Sequence, residues 1–150
     1  MMMKKGIQAY KAVGLKNELP EADPHRVIQM LYSGLLDKLA YAKGCIERRD
    51  FVGKSEHISK AIGILTSLQT SLDMKAGGEI SANLFELYAF MVDRLSEATV
   101  KNDTAMIDEV ARTLIPIKEA WDQIPEEAKA EGYRQRQQLG ELDLEPRAGE

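Results

Sequence analysis

The chain has 150 residues, of which 44% are hydrophobic and 29% charged, and its formal net charge is -4. This length predicts one domain with enough apolar residues for a real core. The negative charge and the scattered Lys and Arg residues argue against a nucleic-acid-binding protein, because phosphate contacts need a basic face.

The sequence also predicts the compartment. Its single cysteine, Cys45, has no partner for an internal disulfide, which indicates a reducing environment. Residues 1–6 lack an apolar run of signal-peptide length, and no run of about 18 apolar residues could cross a membrane. We therefore expect a cytoplasmic protein without membrane insertion.

Residues 1–22 form an N-terminal segment of mixed character. Met3, Ile7 and Tyr10 are spaced four and three apart, so they would share one face of a short helix. Two helical turns are marginal alone, and Gly14, Asn17 and Pro20 break any continuation of the helix. The segment is either a frayed, partly packed terminus or a docking segment.

The first long helix is predicted to begin at Asp23, a good N-cap, with Pro24 in the first helical position, and to end near Arg48. Its apolar residues form two adjacent lines: Val27, Leu31, Leu35 and Leu39, and beside them Ile28, Tyr32 and Leu36. This stripe is wider than one neighbouring helix needs. The helix either packs against two neighbours or leaves part of its width as a groove for a partner.

Residues 54–95 predict an antiparallel pair of amphipathic helices joined at Gly77-Gly78, preceded by a turn over residues 50–53. The two apolar faces comprise Ile58, Ala61, Leu65, Leu68 and Leu72 on one arm and Ile80, Leu84, Leu87, Met91 and Leu95 on the other. Glycine reaches positive φ without a Cβ clash and so can reverse the chain. Ser81 and Asn83 stand where the second arm is expected to start.

The last helix is expected to start after Asn102 or Asp103 and to bury Ile107, Val110, Leu114, Ile117 and Trp121. Pro116 predicts a kink near Arg112 without a break, because the apolar spacing continues through it. From residue 126 the composition turns charged and polar, which predicts a disordered or weakly helical tail.

Together these elements predict an all-α protein, an antiparallel up-down four-helix bundle over residues 23–125. A short N-terminal helical segment, residues 1–22, and a polar C-terminal tail, residues 126–150, flank it.

No pattern in the sequence predicts catalysis. Neither His25 nor His57 follows a Glu by three residues, as a bundle metal site would require, and Gly77-Gly78 lacks the surroundings of a phosphate loop. Cys45 has no adjacent base and is expected to be a small core residue. We therefore expect no enzyme, no metal or other cofactor, and no small-molecule substrate.

An ordered set of short motifs resembles one family, the flagellin-specific secretion chaperones of the bacterial flagellum (FliS). The motifs span roughly residues 6–122 and run in this order: Asp23-Pro24, Met30-Leu31-Tyr32-Ser33-Gly34, Lys60-Ala61, Leu72-Asp73, Gly77-Gly78-Glu79-Ile80, Asn83-Leu84, Leu87-Tyr88 and Ala120-Trp121. The chain departs from the family pattern at Asp23, usually Ser, at Thr99, where Asn is common, and at Pro116.

The resemblance implies a cytoplasmic chaperone without ATPase activity that binds the disordered C-terminal region of flagellin. Holding this client as helices on the bundle surface would block premature filament assembly before delivery to the cytoplasmic domain of the export gate. It further implies that the N-terminal segment covers part of the client surface until flagellin binds.

We expect the free protein to be a monomer or a weak dimer. The expected partner-binding residues come from the N-terminal segment, the first helix and the second arm of the hairpin: Ile7, Tyr10, Ile28, Tyr32, Leu35, Leu36, Leu84, Tyr88, Met91 and Leu95. Two other functions remain open on the residues alone: a generic helical-bundle adaptor or regulatory module, and a structural dimer that associates through residues 27–46.

Overall fold

A computed structural model describes residues 23–124, which form four α-helices and no strand. These helices are α1 (Pro24–Glu47), α2 (Phe51–Thr70), α3 (Gly78–Lys101) and α4 (Thr104–Asp122). The predicted all-α fold is confirmed. The N-terminal segment and the polar tail lie outside the described residues.

The four helices form a closed ring. α1 packs against α2 and α4, and α3 packs against the same two helices, so α1 and α3 face each other diagonally. Side chains show the antiparallel order of α1 and α4: His25 at the start of α1 contacts Trp121 near the end of α4, and Lys43 pairs with Asp108 at 3.0 Å near the opposite ends. Short connections between consecutive helices give the up-down arrangement that the sequence predicts.

Aspartate side chains begin three of the helices. The carboxylate of Asp23 accepts hydrogen bonds from the amides of His25 at 3.1 Å and Arg26 at 3.4 Å, and α1 begins at Pro24, as predicted. Asp103 accepts from the amide two residues further on at 2.9 Å and starts α4. Each bond satisfies a first-turn amide that has no partner within its own helix.

The prediction of a turn over residues 50–53 is wrong. Asp50 accepts a hydrogen bond from the amide of Gly53 at 3.0 Å, so it is the N-cap of α2, and the helix already begins at Phe51. The reversal between α1 and α2 is completed earlier, at Arg49, whose φ is 61°. An aspartate followed by two apolar residues therefore starts a helix here.

Asp73 organises the turn between α2 and α3. Its carboxylate accepts from the amides of Lys75 at 3.1 Å and Ala76 at 2.9 Å, and its carbonyl accepts from the amide of Gly77 and the hydroxyl of Ser81, each at 2.9 Å. Ser81 thus ties α3 to the turn and does not start the helix. α3 begins at Gly78, three residues earlier than Ser81, which corrects the predicted start.

The two glycines of this turn are needed for different reasons. Gly78 has φ +51°, where side chains with a Cβ are strained. Gly77 has an ordinary φ of -82°, but an added Cβ would lie 2.9 Å from the carbonyl oxygen of Asp73 and 2.7 Å from the Cβ of Ser81. The predicted chain reversal at this pair is confirmed.

The core contains one hydrogen bond between side chains of the diagonal helices. The hydroxyls of Tyr32 on α1 and Tyr88 on α3 lie 2.6 Å apart, and both residues are buried. Burial raises the pKa of each phenol above its usual value, so both stay neutral and one donates to the other. The surrounding core is apolar and includes Leu31, Leu35, Ile58, Leu65, Met91, Leu95 and Leu114.

A reciprocal contact closes the bundle between α1 and α4. The Nε2 of His25 donates to the carbonyl of Trp121 at 2.8 Å, and the indole Nε1 donates to the carbonyl of His25 at 3.0 Å. The two rings stack with centroids 4.8 Å apart and planes 10° from parallel. α4 runs unbroken through Pro116, as predicted, and so carries Trp121 to this position against the core.

The turn geometry predicts opposite effects of alanine at different glycines. Gly77→Ala and Gly78→Ala should each lower the free energy of unfolding by about 1–3 kcal/mol, through overpacking and backbone strain respectively. Gly63→Ala is the matched control, because it lies within α2 and an added Cβ meets nothing within 4 Å. Its better helix propensity should raise stability by about 1 kcal/mol. Urea unfolding of the three variants measures this, and three equal effects would contradict the turn geometry.

The tyrosine pair predicts strong coupling between two substitutions. Tyr32→Phe or Tyr88→Phe alone leaves one buried hydroxyl without its partner and should cost about 1–3 kcal/mol, whereas the double variant should lose much less than the sum. Additive losses in urea unfolding would contradict the pairing.

The same pair predicts a pH dependence of stability. Both folded-state pKa values lie above the ordinary value of 10.0, so the folded protein keeps protons that the unfolded chain releases. Their contribution is complete below pH 10 and falls as the pH rises beyond it. Between about pH 9 and 11 the unfolding free energy should therefore fall more steeply for the wild type than for the double phenylalanine variant.

Candidate partner-binding surface

All three phenylalanines of the chain lie outside the core. Phe51, Phe85 and Phe90 are 42%, 43% and 41% exposed. The core instead contains two tyrosines, Tyr32 and Tyr88, whose hydroxyls are hydrogen-bonded to each other. Exposed aromatic rings are enriched where proteins contact partners, because each ring buries a large apolar area with few torsions to fix.

Phe51 is held next to the end of α3 by a buried lysine. The ammonium of Lys54 lies 5.0 Å from the centroid of the Phe51 ring. The same ammonium donates to the carbonyl of Thr99 at 2.8 Å and to the side chain of Asn102 at 2.6 Å. It therefore neutralises the negative end of the α3 dipole and fixes the start of α2 beside the end of α3.

A second contact joins the same two helices at the other end. The side-chain amide of Gln69 on α2 donates to the carbonyl of Phe85 on α3 at 3.0 Å. Phe51 and Gln69 lie on one line of α2, eighteen residues apart, which is about 27 Å of helix. We call the surface between them the α2–α3 face, defined by Phe51, Ile62, Phe85, Ala89 and Val92.

The five residues that define the α2–α3 face carry no charge. Ile62 and Val92 are half-buried and pack against the core. The positions beside them are small or uncharged: Ser55, Ser59, Gly63 and Thr66 on α2, and Ala82 and Ser96 on α3. A partner helix can approach such a surface closely, and covering it removes no charge from water. The surface therefore suits an amphipathic segment that folds on binding.

Phe90 has a different environment, although it lies on the same helix. Its ring lies 5.4 Å from the guanidinium carbon of Arg94, which pairs with Glu97 at 3.5 Å and with Glu109 of α4 at 3.3 Å. Phe90 thus borders a charged network between α3 and α4 and stands apart from the α2–α3 face.

The predicted partner-binding residues fall into three groups. Five are buried in the core, namely Tyr32, Leu35, Tyr88, Met91 and Leu95. Three are half-buried at its edge, namely Ile28, Leu36 and Leu84. Ile7 and Tyr10 lie outside the described residues. The other helices already cover the first five, so a partner would reach them only if the bundle opened; their contact with a partner stays a prediction.

Ile80 was predicted to lie on the apolar face of α3, but the buried residue at this point of the helix is the next one, Ser81. Ile80 is 72% exposed, whereas Ser81 is buried. The inward positions of α3 run through Ser81, Tyr88 and Leu95, seven residues apart, and Ile80 lies about 100° away from Ser81 around the helix. The predicted face is otherwise confirmed by the burial of Met91 and Leu95.

Apolar spacing in the sequence did not identify the residues of the α2–α3 face. Phe85 directly follows Leu84, so it lies off the apolar stripe, and an aromatic residue in such a position was the available signal. The uncharged line of α2 from Ser55 to Thr66 was a second signal, because amphipathic helices normally expose charge opposite their core.

Two further features are absent from residues 23–124. No group of His, Cys, Asp and Glu side chains there is arranged to hold a metal ion. Among the four helices described, none has the length and apolarity needed to cross a membrane. Cys45 is buried and packs as the small interior residue that was predicted.

Comparison with known proteins gives a consistent result. Residues 6–128 match the model of the family described as flagellar protein FliS. The chain is 41% identical over 125 residues to a flagellar secretion chaperone FliS of Vibrio cholerae, covering 83% of this chain and 92% of the relative. It is 42% identical over 124 residues to the flagellar secretion chaperone FliSB of Pseudomonas aeruginosa, covering 83% and 98%. A flagellar secretion chaperone FliS of Salmonella typhimurium is 42% identical over 130 residues, covering 86% and 96%.

Proposed function

The chain belongs to the FliS family of flagellar secretion chaperones, and from this premise we propose that its client is the disordered C-terminal region of flagellin. In this proposal the bound segment folds as helices on the bundle surface. Flagellin so held cannot assemble prematurely, because the residues that would pair with other flagellin molecules are already covered.

The observation that carries this proposal is the exposure of Phe51 and Phe85 at opposite ends of the uncharged α2–α3 face. A helix of about 18 residues spans the roughly 27 Å of α2 between Phe51 and Gln69, whose side chain contacts the backbone of Phe85. Fully burying one such ring contributes about 1.5–3 kcal/mol. Ordering a disordered client opposes binding, so several anchors of this size are needed for a stable complex. The face supplies two exposed rings and two half-buried aliphatic side chains.

Holding and releasing a client in this way requires no chemical step. We propose a non-enzymatic, cytoplasmic chaperone, monomeric or weakly dimeric when free, that gives up its client at the cytoplasmic domain of the export gate. Release would follow from competition at the gate, because binding through a few non-covalent apolar contacts is reversible.

We further propose that residues 1–22 act as a displaceable cover of the client surface and assist docking at the gate. Met3, Ile7 and Tyr10 form one small apolar face in the sequence, too small to bind irreversibly. A cover closed 99% of the time would weaken apparent client affinity about 100-fold.

Phe85 and Phe90 provide a matched test of the client surface, since they have the same side chain, helix and exposure. Phe85→Ala should weaken binding of a flagellin C-terminal peptide at least about 10-fold, or 1.4 kcal/mol, whereas Phe90→Ala should change it by less than about 3-fold. Isothermal titration calorimetry measures both affinities. Thermal unfolding should show that neither exposed substitution destabilises the bundle. Equal affinity losses, or a loss only for Phe90→Ala, would place the client elsewhere.

Deleting residues 1–12 tests the cover. We expect the shortened protein to remain helical by circular dichroism and to bind the flagellin peptide as tightly as the full chain or more tightly. Flagellin export in cells carrying this deletion should fall, because docking at the gate is impaired. Abolished peptide binding would instead make the segment part of the client site.

A further inference from the structure

The outer surface between α1 and α2 differs from the α2–α3 face. We call it the basic–aromatic face and define it by Lys38, Tyr41, His57 and Lys60. Tyr41 is 53% exposed. The ammonium of Lys38 lies 5.6 Å from the centroid of its ring, and the ring of His57 lies 5.2 Å away on the other helix. An exposed aromatic ring is thus flanked by nitrogen-bearing side chains of both helices.

The lysines of this face lack ion-pair partners. Within residues 23–124 neither Lys38 nor Lys60 pairs with a carboxylate, whereas Lys43, Lys101 and Lys118 all do so at 2.6–3.0 Å. Within the described residues, the α1–α2 surface therefore holds two cations that are close enough to influence each other and that no carboxylate pairs with.

The pKa of Lys38 lies below its ordinary value. Burial is the largest cause and the charge of Lys60 the second, and the carboxylate of Asp37 partly offsets these two effects. The pKa of His57 is likewise lowered by burial, Lys38 and Lys60, against Glu56 and Asp50. The carboxylates nearby therefore do not balance the positive charge at either group.

His57 provides an independent sign of an incomplete surface. Its Nδ1 is buried and has no hydrogen-bond partner among the described residues. Buried polar atoms are normally hydrogen-bonded, so the packing of the described helices leaves the polar groups at this surface incompletely satisfied. The basic–aromatic face thus has unmet charge, an unmet hydrogen bond and an exposed ring within one area.

We propose that residues 141–145 of this same chain dock on the basic–aromatic face. Their sequence, Glu141-Leu142-Asp143-Leu144-Glu145, supplies three carboxylates for the cations and two leucines for the Tyr41 ring. These residues lie beyond the family match, which ends at residue 128. The contact is therefore a feature of this chain's own tail and does not depend on the identity of the client.

The length of the tail allows this contact. α4 ends where α1 begins, at the His25–Trp121 contact, and Lys38 lies thirteen residues further along α1, about 20 Å in helix length. From Ile124 to Glu141 there are seventeen residues, which span at most about 55–60 Å when extended. The tail therefore reaches across one helix and up the bundle with length to spare.

Tethering makes a weak contact sufficient. A covalent link of this length gives an effective concentration in the millimolar range, so the segment occupies the face even with millimolar intrinsic affinity. A partner that uses the same surface must then displace the segment.

Paramagnetic broadening in NMR spectra of the full chain tests this directly. A spin label is attached at Gly140→Cys, directly before the acidic segment, in a Cys45→Ala background. We expect peak intensities to fall for the amides of residues 38, 41, 57 and 60, and to remain for α3 and α4. The effect should disappear at about 1 M salt, where the Debye length is about 3 Å. Unbroadened α1 and α2 amides at low salt would overturn the proposal.

Two matched variants show whether the acidic residues are responsible. Glu141→Gln, Asp143→Asn and Glu145→Gln together should abolish the broadening. Glu126→Gln, Glu127→Gln and Glu131→Gln change the tail's charge equally, nearer α4, and should leave it intact. Loss of broadening in both sets, or in neither, would overturn the docking of residues 141–145.

A readout without a label complements these variants. The His57 pKa should be lower in a chain ending at residue 139 than in the full chain, because carboxylates nearby favour the imidazolium. An unchanged pKa contradicts the proposal. Mixing spin-labelled protein with isotope-labelled protein whose tail carries no spin label separates contact within one chain from contact between copies. Broadening in the mixed sample would mean that a second copy supplies the segment, which also overturns the proposal.

Discussion

The hydroxyls of Tyr32 and Tyr88 lie 2.6 Å apart in an apolar interior, and neither could be buried there at low cost without the other. Their bond joins the two helices that face each other diagonally, so it sets the position of α1 along α3. With that position fixed, α2 and α4 fill the two remaining sides, and the leucines and isoleucines of all four helices meet in one core. The core is then complete without any of the three phenylalanines, which leaves these rings on the surface.

The four seams between neighbouring helices consequently have different chemistry. Ion pairs tie α4 to α1, through Lys43 and Asp108, and to α3, through Arg94 and Glu109. α2 has no ion pair with either neighbour within the described residues; its outer surfaces carry the uncharged α2–α3 face on one side and the basic–aromatic face on the other. The bundle therefore secures α4 electrostatically, and α2 lies between the two surfaces that we propose for recognition.

Local signals allowed most of the fold to be predicted from the sequence. The cap at Asp23, the glycine pair and the apolar spacing each act within a few residues, so a sequence pattern reports them directly. Asp50 shows the limit, because the same residue type begins turns and helices, and only its bond to Gly53 decides between them.

The candidate site was harder to predict from the sequence than the fold. Apolar spacing identifies the side of a helix that the protein itself covers, so it selected Met91 and Leu95, whereas Phe85 lies off that stripe. The pairing of Tyr32 with Tyr88 depends on the relative positions of α1 and α3, which no short pattern contains.

The contact between His25 and Trp121 also has a mechanical consequence. It places the start of α1 and the end of α4 side by side, so both ends of the helical body face the same direction. A pulling force applied between these ends loads the seam at its edge and separates the two helices like a zipper, one contact after another. Antiparallel helices pulled from opposite ends would instead resist in shear, with all contacts sharing the load. The geometry therefore favours separation of the helices at low force when the load is applied at the end where the chain enters and leaves the bundle.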